Sequence, residues 1–162
     1  MIRSKAIRRG AAIAILLGWA ALPANAQVLT LVSEAEVRAD RAAPPPPAIR
    51  GVPSRSAPNP DAPRIEIMAP KIAGVPLVTP FAIDVRFSPA AGHSINPATL
   101  KILYGRLGLD VTSRILSATS VTPQGLNIPN ARVPKGWHRL LLEIHDEADN
   151  VGRSEIEFEV SN

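Results

Sequence analysis

The most constraining feature of the chain is a period-two alternation of apolar and polar residues between positions 136 and 160. The alternation breaks at a polar turn, residues 146–152, and then resumes. After the turn Glu155, Glu157 and Glu159 share one face, which must lie in water because carboxylates cannot be buried unpaired. The segment is therefore predicted to be a β-hairpin with its other face in a core. The predicted core face carries His138, Leu140, Leu142, Ile144, Ile156, Phe158 and Val160.

Shorter strand patterns fill the rest of the C-terminal part of the chain. They lie at 64–68, 81–87, 100–104, 109–115, 117–121 and 126–128, and they are bounded by Pro or Gly. No stretch there places apolar residues at helical spacing over a dozen positions before a Pro or Gly intervenes. The pattern predicts an all-β, Greek-key sandwich of immunoglobulin-like type with about seven strands.

The first 26 residues have the organisation of an export signal. A basic segment precedes an uncharged apolar run at 11–22, and Ala24 and Ala26 put small residues where a signal peptidase reads. We expect cleavage before Gln27 and export to the periplasm or out of the cell. An uncleaved membrane anchor is the alternative, but a spanning helix needs about 20 apolar residues and this run is shorter.

Loss of the signal removes the apparent basic character of the chain. The sequence has 18 Lys and Arg against 14 Asp and Glu, and the signal contains four of the basic residues and no acidic one. The mature chain is therefore close to neutral, which argues against a nucleic-acid or anionic-membrane partner. The chain has no cysteine, so the fold must be stabilised by an apolar core without disulfides.

Residues 27–63 separate the signal from the predicted sandwich. The part at 27–43 admits three interpretations: a short helix, an added strand or disorder. The part at 44–63 holds eight of the 17 prolines, and proline favours extended backbone without internal hydrogen bonds. We therefore predict a signal at 1–26, a polar segment with a Pro-rich flexible linker at 27–63, and one sandwich domain at 64–162.

Five short motifs in the predicted sandwich resemble those of bacterial Ig-like domains. They are SINPATLKI at 94–102, YG with DVT at 104–112, VPKGWH at 133–138, HDEADNVG at 145–152 and FEV at 158–160. Their order and spacing together carry the resemblance. One departure is Asp149, which stands where the family usually has Gly before Asn150. The resemblance implies a binding, adhesion or spacer module of an export compartment, without catalytic residues.

The acidic turn after the first hairpin strand is a candidate calcium site. Asp146, Asp149 and Asn150 offer the oxygen ligands that Ca²⁺ prefers. The alternative is an ordinary turn, because Asp and Asn also hydrogen-bond to their own backbone. No other cofactor is expected from the sequence.

The three histidines do not form a recognisable zinc or copper motif. His138 and His145 are seven apart on one predicted strand and so face opposite sides, and His93 lies in a predicted loop. A copper carrier of this size would be expected to show a His near the mature N-terminus and a cluster of Met. Gln27 begins the mature chain instead, and Met68 is its only Met.

No catalytic arrangement is apparent in the sequence. Ser94 beside His93, and Ser154 near His145, are neighbours in sequence only, and no orienting acid completes either pair. The chain is therefore expected not to be an enzyme.

The leading hypothesis is an exported, non-catalytic Ig-like binding or structural module of the bacterial envelope that contacts a protein or a polysaccharide. Its exposed loops, at 92–97, 105–110 and 146–152, are the expected contact surface. Two alternatives stay open: a small-ligand or calcium carrier using the turn at 146–150, and an accessory factor that presents the Pro-rich segment to a partner. The sequence does not choose between oligomeric states.

Overall fold

A computed structural model describes residues 28–44, 59–71 and 74–161. The predicted signal, its cleavage residues Ala24, Ala26 and Gln27, and most of the Pro-rich segment lie outside these ranges. Within them, no helix is both long and apolar enough to cross a membrane.

The described residues form eight strands and two helices. In chain order these are β1 (Leu29–Thr30), α1 (Glu34–Ala42), β2 (Arg64–Ala69), β3 (Phe81–Ser88), β4 (Ile95–Tyr104), β5 (Leu109–Asp110), α2 (Thr112–Leu116), β6 (Gly125–Arg132), β7 (Gly136–Asp146) and β8 (Val151–Val160). Sheet A has the order β1-β6-β3-β2 and sheet B the order β5-β4-β7-β8. The pairs are antiparallel except β1 with β6, which is parallel. One apolar core contains residues of both sheets, which confirms the predicted all-β sandwich.

The C-terminal hairpin is as predicted. Strands β7 and β8 pair without interruption from Gly136 opposite Val160 to His145 opposite Val151. The side chains predicted to face the core are buried, and the carboxylate face is outside. Charges on that outer face are partly paired, since Arg139 donates to both carboxylate oxygens of Glu155 at 2.7 Å.

The segment predicted as a strand at 109–115 is mostly a helix, so that prediction was wrong. Only the two residues of β5 pair with β4, and α2 follows after Val111. Asp110 accepts a hydrogen bond from the backbone N–H of Thr112 at 2.8 Å, which turns the chain out of the sheet. Val111 and Ile115, four apart, are both buried. A five-residue helix is too short to show a helical period in sequence.

The N-terminal strap, residues 28–44, is part of the fold. Strand β1 pairs with β6 and forms an edge of sheet A, and Leu31 and Val32 are fully buried. Ser33 and Glu36 then form a reciprocal capping box at the start of α1, and Val37 packs into the core. The segment at 27–43, for which the sequence allowed a helix, a strand or disorder, therefore contains both a strand and a helix. The apolar core thus includes residues that precede the predicted sandwich at 64–162.

Polar contacts fix the strap to the rest of the domain. Arg114 of α2 donates to the carbonyl of Leu31 at 2.7 Å and to both carboxylate oxygens of Glu36 at 2.9 and 3.1 Å. The hydrogen bonds from Arg114 and from the backbone of Ser33 lower the pKa of Glu36 to about 2. The strap is thus held by a charge-assisted pair as well as by apolar burial.

The two ends of the Pro-rich segment lie at opposite ends of sheet B. The last turn of α1 packs near Gly105, which follows β4. Asn59 donates to the side chain of Asn150 at 3.3 Å, beyond the other end of the same sheet. The Pro-rich segment therefore joins two parts of one packed domain.

Candidate binding cleft

A cleft lies at the end of sheet B where β4 finishes and β7 begins. Its volume is about 280 Å³, near the lower end of the roughly 300–1,000 Å³ typical of ligand sites. The lining residues are Asp40, Arg41, Gly105, Arg106, Trp137, His138, Arg139 and Glu157. An exposed aromatic side chain lines this cleft, whereas three other open grooves formed by described residues are lined by none. One predicted contact loop, 105–110, borders it.

Trp137 is the distinguishing side chain of the cleft. It is 64% exposed, although large aromatic residues normally bury most of their surface. Its backbone lies in β7, an inner strand of sheet B, where it faces Glu159 of β8. The aromatic pairs among the described residues involve other rings. The structure thus presents an indole to solvent from a backbone held firmly in the sheet.

The end of α1 forms one wall of the cleft. The carboxylate of Asp40 accepts hydrogen bonds from the backbone N–H groups of Arg106 and Leu107 at 2.6 and 3.0 Å. Gly105 has φ +67°, a conformation that favours glycine, and a Cβ there would displace the Asp40 carboxylate. Arg41 donates to the carbonyl of Lys135 at 3.1 Å, just before β7. The strap therefore positions the loop and the strand on both sides of the indole.

Charged groups of both signs surround the indole. The bidentate bond to Glu155 raises the pKa of Arg139, and the same bond lowers the pKa of Glu155. Glu157 lies opposite Arg139 in the hairpin register, and no salt bridge within the described ranges includes Glu157. Arg106 is exposed on the opposite wall. The cleft thus offers both donors and acceptors around an apolar surface.

His138 lies beneath the cleft and is 3% exposed. Its Nε2 lies 2.7 Å from the carbonyl of Pro134 and its Nδ1 lies 2.9 Å from the hydroxyl of Tyr104. Because a carbonyl only accepts, Nε2 carries the proton, and the neutral Nδ1 accepts from the tyrosine. Burial lowers the pKa of His138, and burial raises the pKa of Tyr104 to about 12. Because both ring nitrogens are hydrogen-bonded within the domain, His138 stabilises the first residues of β7.

We expect His138 to make the domain less stable in mild acid. Its folded pKa is below the ordinary value of 6.5, so between 6.5 and that lower value the unfolded chain binds a proton that the native state does not. The contribution of neutral His138 to the free energy of unfolding is complete above pH 6.5. It declines as the pH falls from 6.5 towards the lower pKa of the folded state. Urea unfolding between pH 5 and 8 should show this slope, and His138→Phe should show less of it. Equal slopes in both proteins would contradict the assignment, even if His138→Phe is itself less stable.

The predicted calcium residues do not converge on an ion site. Asp146 is buried, and its carboxylate accepts from the backbone of Ala148 and Asn150 at 2.9 and 2.8 Å and from the Asn150 side chain at 2.9 Å. Burial raises the pKa of Asp146, but these hydrogen bonds outweigh it and the pKa is lowered. The side chain of Asp149 is 91% exposed and contacts His145. Calcium at this turn is therefore not supported.

Asp149 nevertheless explains the shape of this turn. It has φ +65°, the left-handed conformation that glycine would adopt most easily. Asp149, which stands where the Ig-like motif usually has Gly, therefore still adopts a left-handed conformation. Asp146 accepts from the turn backbone and the hairpin closes with Asp146 N–H donating to Asn150 at 3.1 Å.

The other predicted contact residues lie at this same end. His93 lies 3.3 Å from the Asp146 carboxylate, so the loops at 92–97 and 146–152 meet, whereas the loop at 105–110 lies at the cleft end. His145 contacts Glu143 at 3.5 Å and Asp149 at 3.1 Å. No group of three or more His, Cys, Asp or Glu within the described ranges is arranged to hold a metal ion.

Most of the cleft was not predicted from the sequence. Asp40 and Arg41 belong to a segment that the sequence did not place in the domain, and Trp137 was not identified as a binding residue. One signal was available: Trp137 falls on the same alternating face as Arg139 and Glu143, which the hairpin pattern places in water.

No protein-family model matches the chain, and no curated protein matches it. One similar solved structure is described as the crystal structure of CopC from Methylosinus trichosporium OB3b. The alignment has a TM-score of 0.33 and 16% sequence identity, and it covers 51% of this chain and 78% of that chain. A likeness of this size assigns neither a family nor a ligand to this chain.

Proposed function

We propose that the protein is an exported, non-catalytic recognition module of the bacterial envelope, Ig-like in type, that binds its partner at the Trp137 cleft. The observation that carries this proposal is the 64% exposed indole, fixed on an inner strand and surrounded by charged groups of both signs. Exposed aromatic residues within a polar rim are typical of binding sites. Export to the periplasm or beyond rests on the signal pattern of residues 1–26.

A binding role fits the chemistry of the cleft better than a catalytic one. His138, its buried titratable group, has both ring nitrogens engaged by internal partners. Asp40 and Arg139 are likewise held by internal hydrogen bonds. These groups stabilise the shape of the cleft, so the surface available to a partner consists of Trp137, Arg106 and Glu157. Trp137, Arg106 and Glu157 do not provide the nucleophile and general base that a catalytic site would need.

The proposal predicts that Trp137→Ala abolishes partner capture without unfolding the domain. Mature protein would be cross-linked in cells and purified from the envelope fraction, with Val75→Ala as the matched control. Val75 is 70% exposed, lies in the loop before β3 and does not line the cleft. We expect the partner to be captured by the wild type and by Val75→Ala and at least tenfold less by Trp137→Ala. Equal capture by all three proteins would contradict the proposal.

A further inference from the structure

We propose that the Trp137 cleft binds a neutral sugar ring within an envelope polysaccharide, with the apolar face of the ring on the indole. This inference rests on the binding role proposed above and adds the chemical class of the ligand. The indole supplies a flat apolar surface, which matches the C–H face of a pyranose. The rim supplies donors and acceptors for the ring hydroxyls.

The charges of the rim argue for a neutral ligand. A polyanionic chain would be repelled by Glu157 on the hairpin, and a polycationic chain would be repelled by Arg106 on the other wall. A neutral polyhydroxylated ring can donate to the carboxylate and accept from a guanidinium. Charge-assisted hydrogen bonds of this kind are stronger than neutral ones.

The size and rigidity of the cleft fit one or two rings of a longer chain. Its volume of about 280 Å³ is small for a whole oligomer, and sites for drug-sized ligands span roughly 300–1,000 Å³. The rim is already ordered: Asp40 fixes the loop after Gly105, and Glu155 fixes Arg139. Preformed polar groups reduce the entropy lost on binding. We therefore expect binding without rearrangement of the backbone.

Trp137 is also a convenient reporter of its own site. The sequence has two tryptophans, and the other one, Trp19, lies in the predicted signal. The mature chain therefore contains a single tryptophan, and its fluorescence reports directly on the cleft. A sugar stacked on the indole should shift the emission to shorter wavelength as water is displaced.

The test is a titration of the mature chain with oligosaccharides that differ in charge. The probes are the tetramer of N-acetylglucosamine, its deacetylated cationic form, cellotetraose and anionic tetragalacturonate. We expect saturable binding of a neutral tetramer with a dissociation constant below about 1 mM, corresponding to roughly −4 kcal/mol, and binding at least tenfold weaker for both charged tetramers. Calorimetry should show loss of binding in Trp137→Ala and its retention in Trp137→Phe, with unchanged melting temperatures.

Other outcomes separate this inference from the proposed function. Peptides carrying alternating Glu and Lys, titrated in the same way, test the protein alternative. If such peptides bind and no saccharide does, or if Trp137→Ala loses a captured protein partner, the saccharide inference is wrong and the binding role stands. If a neutral tetramer binds equally to Trp137→Ala, the ligand does not stack on the indole and the inference is overturned.

Discussion

A fragment of residues 59–161, which lacks the N-terminal strap, is expected to lose most of the stability of the domain. The strap buries Leu29, Leu31, Val32 and Val37, and each such side chain contributes about 1.5–3 kcal/mol when fully buried. Together these contributions are comparable with the whole stability of a typical domain, about 5–15 kcal/mol. The fragment should therefore show little cooperative unfolding in circular dichroism.

The matched control keeps the strap and removes only the covalent link. A protease site inserted within 45–58 and cleaved after folding leaves the β1–β6 pairing and the bonds from Arg114 intact. We expect the cleaved protein to stay associated in size-exclusion chromatography and to melt cooperatively. A strap peptide of residues 27–44 should restore folding to the fragment. A fragment as stable as the intact domain would show that the strap is not part of the core.

Gly125→Ala is expected to have the largest effect of any single substitution considered. Gly125 has φ +147°, and a Cβ there would overlap the backbone carbonyl of Val85 on the neighbouring strand β3. Neither backbone can move without separating β3 from β6 in sheet A. Backbone strain and overpacking each cost about 1–3 kcal/mol. We expect a loss of roughly 2–6 kcal/mol in the free energy of unfolding, measured with urea.

Gly108→Ala is the matched control for backbone strain alone. Gly108 also has positive φ, +61°, but a Cβ there would meet nothing within 4 Å. Its cost should be limited to the left-handed conformation, about 1 kcal/mol. Equal losses in the two variants would contradict the close approach of β3 and β6 at Gly125.

The hairpin and the sandwich were predictable because their alternation is long and their turns are marked. Strands β3, β7 and β8 are 8, 11 and 10 residues long, and the apolar side chains that recur in them at period two are buried or, at Phe81, half-buried. The three glutamates on one face of β8 also identified the solvent-exposed face of the hairpin. These signals depend on local sequence alone.

The strap, α2 and the cleft depend on contacts between distant residues, which local patterns do not contain. Strand β1 has two residues and gains its partner from β6, about a hundred residues later. Asp40 and Arg41 enter the cleft only because α1 packs against Gly105 and Gly136. The turn at Asp146 shows the reverse error: its residues suggested an ion site, but the carboxylate accepts hydrogen bonds from the turn itself and lies beside His93.

The most direct test of the account is photo-cross-linking in living cells from single positions at the two ends of sheet B. A photoreactive residue would replace Leu107, beside the cleft, or Arg153, near the opposite end; both side chains are exposed. We predict a specific envelope product from position 107, its loss when Trp137→Ala is added, and none from position 153. A product from position 153 alone, or one from position 107 that persists with Trp137→Ala, would contradict recognition at the Trp137 cleft.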